Sequence, residues 1–561
     1  MAPTLVSSLK ENKSKSGTAL FSLLIILVLI LAACGNSGNG SPTSTNKKHI
    51  LTIGAHVGGD YTKSLSPYNP TLVNEGIQGM VYETLLFFNR NDGQVQNLLA
   101  TDYKWSSDQK QLTFTTRENV KWSDGKDFSA ADVAFTFNML KQYPAADSKG
   151  LWSYLSTVTA SDAKTVVLTF KNPNPPLLWY IGGQTFIVPE QIFKGVDPTK
   201  FDNANPVGTG PFKFAKFSPQ LLTYTRNPGY WQADKVQVDE LHYPAVKDNQ
   251  TLQLKLMKGE IDWGSFFAPD LDKTYVQKDT QHNHYWMAPT DMFTLYVNLT
   301  KAPFNDVNVR QAISAAIDRG QLSKQAESGY VAPASPTGLI LPNAKDYLDP
   351  AYQNVPSTAD VAKAGQFLQS AGYAKGGDGI YAKNGKKLSF SIKVVSGWTD
   401  WETMAAVIKQ NLKDAGIDAS VDTIQDSAYF DARNNGNYDA LIGGLFGGPT
   451  PFYLYDTHLN SVNLSPKGFN WGKWKDSQTD KFLQEYSSTV DPAKQKQAIM
   501  GLEKIYADKL PNIPLVNAAS WYEYSTKNFT GWPSKDSPYA VGAAYSTPDN
   551  LMVILNLKPV A

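Results

Sequence analysis

LSFSIKVVSGWTDWETMAAVIKQNLKDAGIDASVDT, residues 388–423, carries the plainest structural signal in the chain. Leu388, Phe390, Ile392 and Val394 alternate with polar neighbours as a strand does, and Trp401, Met404, Ala405, Ile408 and Leu412 then recur at helical spacing. Gly416 stops the helix and Val421 begins a second strand. Strand, helix and strand in this order predict a β-α-β unit with a right-handed crossover. Ser396-Gly397-Trp398-Thr399 then falls at the carboxyl end of the first strand, where open α/β sheets bind ligands. Just upstream, Asn384-Gly385 between Tyr381 and Leu388 predicts a tight hairpin that feeds the strand.

The rest of the chain repeats this mixed α/β character without an internal repeat. Apolar or alternating runs at 50–53, 112–116 and 166–170 read as strands. Ser129 with Asp132 three residues on predicts a capped helix over 130–142, and Asp491-Pro492 opens another that carries Ile499, Leu502, Ile505 and Tyr506. Val309, Ile313, Ala316 and Ile317 form one stripe of a further helix, with Arg310 and Gln311 on its polar side and Gly320 as its stop.

With 561 residues, 42% of them hydrophobic, the chain has the apolar material for a large multi-lobed fold rather than a disordered tract. Lys and Arg number 52 against 51 Asp and Glu, a net charge of +1, so no global field holds a polyanion and nucleic acid is not an expected partner. A single cysteine excludes an intramolecular disulfide and any cysteine cage for zinc or iron–sulfur.

That cysteine has a context of its own. Lys10, Lys13 and Lys15 precede an apolar run over 19–33, shorter than the roughly 20 residues of a membrane span and shaped as a secretory signal. Leu31-Ala32-Ala33-Cys34 resembles a bacterial lipobox, which implies cleavage before Cys34 and lipidation of its thiol. Residues 1–33 are thus expected as a lipoprotein signal peptide and 34–47, rich in Gly, Ser, Asn and Thr, as a flexible tether. Acyl chains add about 0.8 kcal/mol per buried methylene, so the expected product is an extracytoplasmic protein, held to the cell surface or in the periplasm through its lipid alone.

Motifs of catalysis and cofactor binding are scarce. Of the histidines, His282-Asn283-His284 has metal-like spacing but no third ligand nearby in sequence, so neither a metal nor a cofactor is expected. No H-E-x-x-H, G-x-S-x-G, Walker-type or Rossmann loop occurs, and Gly208-Thr209-Gly210 runs into Pro211 as a turn or hinge. Paired carboxylates about 5 to 9 Å apart, as a glycoside hydrolase needs, are invisible in a sequence, so a secreted glycoside or peptide hydrolase stays open as an alternative. Aromatics are conspicuous, with 13 Trp, 28 Tyr and 26 Phe, and Trp398, Trp521 with Tyr522, and Trp532-Pro533 stand where loops are expected.

Four stretches then carry a resemblance: KWSSDQKQLTFTTRENVKWSDGKDFSAADVAFTFNML (104–140), NPVGTGPFKF (205–214), YVNLTKAPFNDVNVRQAISAAIDR (296–319) and LQSAGY (368–373). In this order they resemble family 5 extracytoplasmic solute-binding proteins, the oligopeptide- and dipeptide-binding components of ABC importers. The resemblance implies a two-lobed, type II periplasmic-binding-protein fold with an extra subdomain. Ligand is captured between the lobes and passed to a permease and ATPase complex, with no reaction catalysed; a monomer is expected. By this analogy 48–75, 205–300 and 520–561 form lobe I, 76–204 its inserted subdomain and 301–519 lobe II, with hinges near Thr300 and Ala519.

Peptide-binding relatives carry an acid, shortly after a strand like 438–442, that pairs with the peptide ammonium. Here 443–451 read GGLFGGPTP, with no carboxylate until Asp456. The Gly447-Gly448-Pro449 segment, with 530–533 and 537–540, is similar to family members that bind β-linked oligosaccharides. Sugars offer C–H faces to aromatic rings and hydroxyls to polar groups, so the expected ligand contacts are Trp398, Asp400, Trp401, Gly447, Gly448, Trp521 and Trp532, with Glu402 and Gln425 as further hydroxyl partners. Glu402 has a second reading, completing a Thr399 capping box. The ligand is expected to be an oligosaccharide or an oligopeptide; an adhesion lipoprotein without transport is the remaining alternative.

Overall fold

The computed structural model describes residues 48–69, 73–341, 343–466 and 468–560. The signal sequence, Cys34 and the whole of the tether lie outside the described residues.

Three sheets organise the body from His49 onward. The first has seven strands in the order Asn283–Tyr285, Glu523–Ser525, Trp263–Gly264, Ile50–Gly54, Glu240–Pro244, Leu221–Arg226, Phe212–Ser218. Ile50–Gly54 is parallel to both of its neighbours and buries Leu51 and Ile53 against Tyr224, Tyr243 and Trp263. The second is a four-stranded antiparallel sheet of Ala100–Trp105, Gln111–Thr116, Thr165–Phe170 and Leu155–Ala160. Helix Ala130–Gln142 packs on it, opened by the Ser129 and Asp132 capping box that the sequence predicts. Gly208 and Gly210 serve a close approach between segments rather than a simple turn: a Cβ on either would lie 1.9 Å from the Val81 carbonyl oxygen or 2.3 Å from that of Met80.

The third sheet has five strands in the order Asp418–Ile424, Ser389–Val395, Ala440–Phe446, Ala288–Val297, Ile513–Ser520. Its first pair, with helix Thr399–Asp414 between them in sequence, is the parallel β-α-β unit read from residues 388–423. The hairpin before it is present too, with Asn384 at φ 54° and Gly385 at φ 75° between Tyr381–Lys383 and Lys386–Lys387.

Three expectations are corrected. Strand Ala288–Val297, assigned at the sequence level to the first lobe, is the antiparallel partner of Ala440–Phe446 and Ile513–Ser520, so the passage between sheets lies at Trp286 and Met287 rather than near Thr300. The return passage runs through Trp521 and Tyr522, and the two crossings are bonded to each other, Trp286 N–H donating to the Tyr522 carbonyl at 3.1 Å. Gly320 does not end the stripe helix: that helix, Val307–Ala316, stops four residues earlier, and Asp318 caps a new one, Arg319–Gln325, through the Gln321 N–H. Arg310 is buried, not turned to water, because its guanidinium binds the Lys509, Leu510 and Phe304 carbonyls.

Candidate functional site

The strand directions of the third sheet decide where its loops converge. Ser389–Val395, Ala440–Phe446 and Ile513–Ser520 run one way and Ala288–Val297 the other. Their carboxyl ends and the start of Ala288–Val297 therefore share one edge, which receives Trp398, Gly447 with Gly448, Trp521 and Asp291.

At this edge Asp291 Oδ1 accepts the Gly447 N–H at 2.8 Å, and Arg90 Nη1 lies 3.9 Å from the same oxygen. Arg90 comes from the turn after strand Leu86–Phe88, and its Nη2 donates to Ser546 Oγ at 3.1 Å. An open cavity of about 240 Å³ lies beside this junction, walled by Arg90, Asn91, Thr290, Asn343, Gly447 and Thr450 among others. Gly447 and Gly448 are required by space: a Cβ on Gly447 would meet the Thr290 carbonyl at 2.5 Å, and one on Gly448 the Tyr453 ring at 2.7 Å. His458 fixes the strand end behind them, its Nε2 accepting the Phe446 N–H at 2.9 Å, and burial pushes its pKa down to about 3, which keeps the ring neutral.

The aromatic residues divide. Trp398 is partly exposed, its ring edge-on to Trp401 at 4.7 Å and near Phe430. From there Arg433 lies over both Phe430 and Trp471, and Trp471 reaches Phe446, which is 47% exposed. Trp401 instead fills the core between Phe293, Tyr429 and Trp398, as its place on the apolar stripe of the helix dictates. Trp521 is buried, packed on Phe267 and Tyr330 at the return crossing, and its backbone N–H donates to the hydroxyl of Tyr545, a half-exposed ring. Trp532 is a correction: it is buried in the seven-stranded body between Trp263 and Tyr524, with its indole N–H donated to the Phe529 carbonyl at 2.9 Å. Neither its faces nor its N–H remains for a ligand.

Asp400 is buried at the start of helix Thr399–Asp414, and burial lifts its pKa to about 6. Glu402 accepts the Gly397 N–H at 3.1 Å, so it caps the helix from ahead of Trp398 rather than forming the expected box with Thr399. Sequence reading passed over Glu327, which is fully buried with neither carboxylate oxygen hydrogen-bonded. Burial, and then the charge of Asp400, hold its pKa well above the usual carboxylate range. It also passed over the cross-links between the bodies. Tyr330 hydroxyl accepts the Leu271 N–H at 2.6 Å, Tyr453 donates to the Pro176 carbonyl at 2.8 Å, and Tyr180 meets Thr457 at 3.0 Å. No sequence signal marks these residues, since each is defined by a partner distant in the chain.

Residues 94–465 match the family model described as bacterial extracellular solute-binding proteins, family 5 Middle. The chain belongs to this family. It is accordingly an extracytoplasmic, substrate-binding component of an ABC importer and not an enzyme. Among curated relatives, the oligopeptide-binding protein AppA of Bacillus subtilis is 27% identical over 524 residues, covering 88% of this chain and 91% of its own. The glutathione-binding protein GsiB of Escherichia coli is 27% identical over 512 residues, 86% of this chain and 92% of its own. Among solved structures, a mannohexaose-bound periplasmic oligopeptide-binding protein of Thermotoga maritima superposes with a TM-score of 0.83 at 24% identity, covering 91% of this chain and 99% of that one. AppA in complex with a nonapeptide gives 0.75 at 23% identity, over 91% and 99%. The family 5 protein thus has the two-lobed fold expected from its sequence. Among the described residues no helix is long and apolar enough to cross a membrane.

Proposed function

We propose that this family 5 protein captures an oligomeric solute, a β-linked oligosaccharide or an oligopeptide, between its two lobes, and delivers it as a monomer to the permease. The observation that carries the reading is the shared edge of the five-stranded sheet, where Trp398, the Gly447-Gly448 turn and Trp521 converge opposite groups of the other body. The partly exposed Trp398 ring suits a sugar face or an apolar peptide side chain, and the open cavity beside Asp291 gives a chain of linked units room to extend. Solved structures of the same fold hold a mannohexaose and a nonapeptide, so both classes of oligomer fit such a frame. The seven residues singled out from sequence reduce, in this reading, to Trp398, Gly447 and Gly448 around the solute, with Asp400 beneath and the buried Trp401 and Trp521 as support.

The chain is further proposed to be lipidated at Cys34 after cleavage of residues 1–33, with 34–47 as its tether. Mass spectrometry of protein extracted from membranes tests this: a diacylglyceryl mass on Cys34, lost with a shift to the soluble fraction in Cys34→Ala, is expected. For the capture itself, solution scattering of the protein with cello-, manno- and xylo-oligosaccharides and with a peptide library is expected to show contraction with one class. Scattering unchanged by every oligomer would remove the reading, and turnover of a bound oligomer would favour a hydrolase.

A further inference from the structure

Two buried carboxyl groups stand near each other at the carboxyl end of strand Ser389–Val395, and no cation among the described residues balances them. Asp400 stands in the first turn of helix Thr399–Asp414, 5% exposed, and its carboxylate has the Trp401 backbone N–H as a partner. Glu327 follows helix Arg319–Gln325, fully buried, with both oxygens unpartnered. The two helices lie side by side, Gln321 meeting Asn411 at one end and Glu327 close enough to Asp400 at the other for their charges to oppose each other. The charged group felt at Glu327 is Asp400, and the one felt at Asp400, besides Glu327, is Glu402; all are acids. Buried like charges without a counter-charge are costly, so the pair holds protons in the empty protein, and a cation from outside the chain is what would let both carboxyls ionise. Aromatic residues stand on each side of the pair in the chain: Trp398 and Trp401 around Asp400, and Tyr330, in ring contact with Trp521, three residues after Glu327. Carboxylates among aromatic rings are the environment that recognises an organic cation.

We infer that Glu327 and Asp400 form a subsite for a cationic group of the captured solute, an ammonium or guanidinium. This rests on the reading that an oligomer occupies this edge, and it assigns the charge recognition that the segment 443–451 lacks. The loop that carries Glu327 turns through Ser328 and Gly329, at φ 51° and 77°. It is clamped to the other body by the Tyr330 hydroxyl, which accepts from Leu271 N–H and donates to the Ala268 carbonyl at 3.2 Å. Opening of the lobes frees this clamp and gives the cation a way in; closing seals it.

The test uses oligomer pairs related by N-acetylation, which removes the positive charge, and the amide variants separate that charge from the added acetyl group. A β-1,4-linked glucosamine tetramer is set against its N-acetylated twin, and tetra-alanine against N-acetyl-tetra-alanine, by calorimetric titration of the wild-type protein, Glu327→Gln and Asp400→Asn. The cationic member of one pair is expected to bind at least tenfold more tightly than its neutral twin, and either amide variant is expected to erase the difference while the neutral twin's affinity is kept. Should one variant fail to fold, the other carries the comparison. Equal or tighter binding of the neutral twins overturns the cation subsite and leaves oligomer capture standing. A cation preference that survives both variants overturns the assignment to these residues. If no oligomer binds, the subsite and the reading beneath it both fall.

Discussion

The N–H of Gly447 donates to Asp291 Oδ1 at 2.8 Å, and Arg90 of the opposing body approaches that same oxygen to 3.9 Å. One carboxylate thus holds the glycine turn at the sheet edge and links it to the turn after strand Leu86–Phe88. Asp291→Ala is expected to cost about 2 kcal/mol through the lost charge-assisted bond to Gly447, with little from the looser, partly hydrated contact to Arg90. Binding should weaken alongside, and Arg90→Ala should weaken binding more than stability. Thermal unfolding and titration of the two variants separate these effects.

Gly447→Ala and Gly448→Ala should differ. At Gly447 the obstacle is the Thr290 carbonyl, a backbone atom that cannot rotate away, whereas at Gly448 it is the Tyr453 ring, itself packed edge-on against Trp179. Overpacking costs about 1–3 kcal/mol. The first variant is expected to distort the turn and lose binding. The second should loosen the contact between the bodies, read as a fall in melting temperature.

Trp398→Ala and Trp401→Ala separate ligand contact from core. The partly exposed Trp398 is expected to cost at least tenfold in affinity with a melting temperature close to wild type. Trp401, 6% exposed among Phe293 and Tyr429, is expected to cost about 3–5 kcal/mol of stability. Trp532→Ala should follow Trp401→Ala in losing stability, and its effect on binding should be no greater than that loss explains.

The raised carboxyls give the unliganded protein a particular pH dependence. Asp400 is held at about 6, Glu83 and Glu503 at about 7, and Glu327 and Glu523 are raised as well, burial being the leading cause in each. A raised carboxyl binds its proton more tightly in the folded state, so its contribution is complete below the unfolded value near 4 and is lost as pH rises through the folded value. Stability should fall from pH 4 to pH 8, with Asp400 contributing up to about 3 kcal/mol of the change, nearly all of it complete by pH 7. Asp400→Asn is expected to flatten the profile measured by thermal unfolding across that range.

How much the sequence disclosed follows from where each signal resides. The β-α-β unit was legible because one face of Ser389–Val395 is buried and the helix shows a clear apolar stripe. Strand Ala288–Val297 was misplaced because it lies between two strands and is buried from Met292 to Val297 on both faces, which leaves no alternation, and its partners lie more than a hundred residues away. The glycine turn at 447–448 was legible from composition. Glu327 was not: Ala326-Glu327-Ser328-Gly329 reads as a polar turn, and only packing beneath helix Thr399–Asp414 turns it into an unpaired buried acid. Trp532 was misassigned for the converse reason, since a loop tryptophan beside Gly and Pro gives no hint that Trp263 and Tyr524 enclose it.

The most direct measurement is a thermal-unfolding screen of wild type and Trp398→Ala, side by side, against β-linked oligosaccharides and a peptide library. A ligand at 100 times its dissociation constant adds about 2.7 kcal/mol. The account predicts a clear upward shift of the wild type with one class of oligomer and its loss or sharp reduction in Trp398→Ala. A shift of equal size in both proteins would place the solute elsewhere and contradict the sheet-edge site.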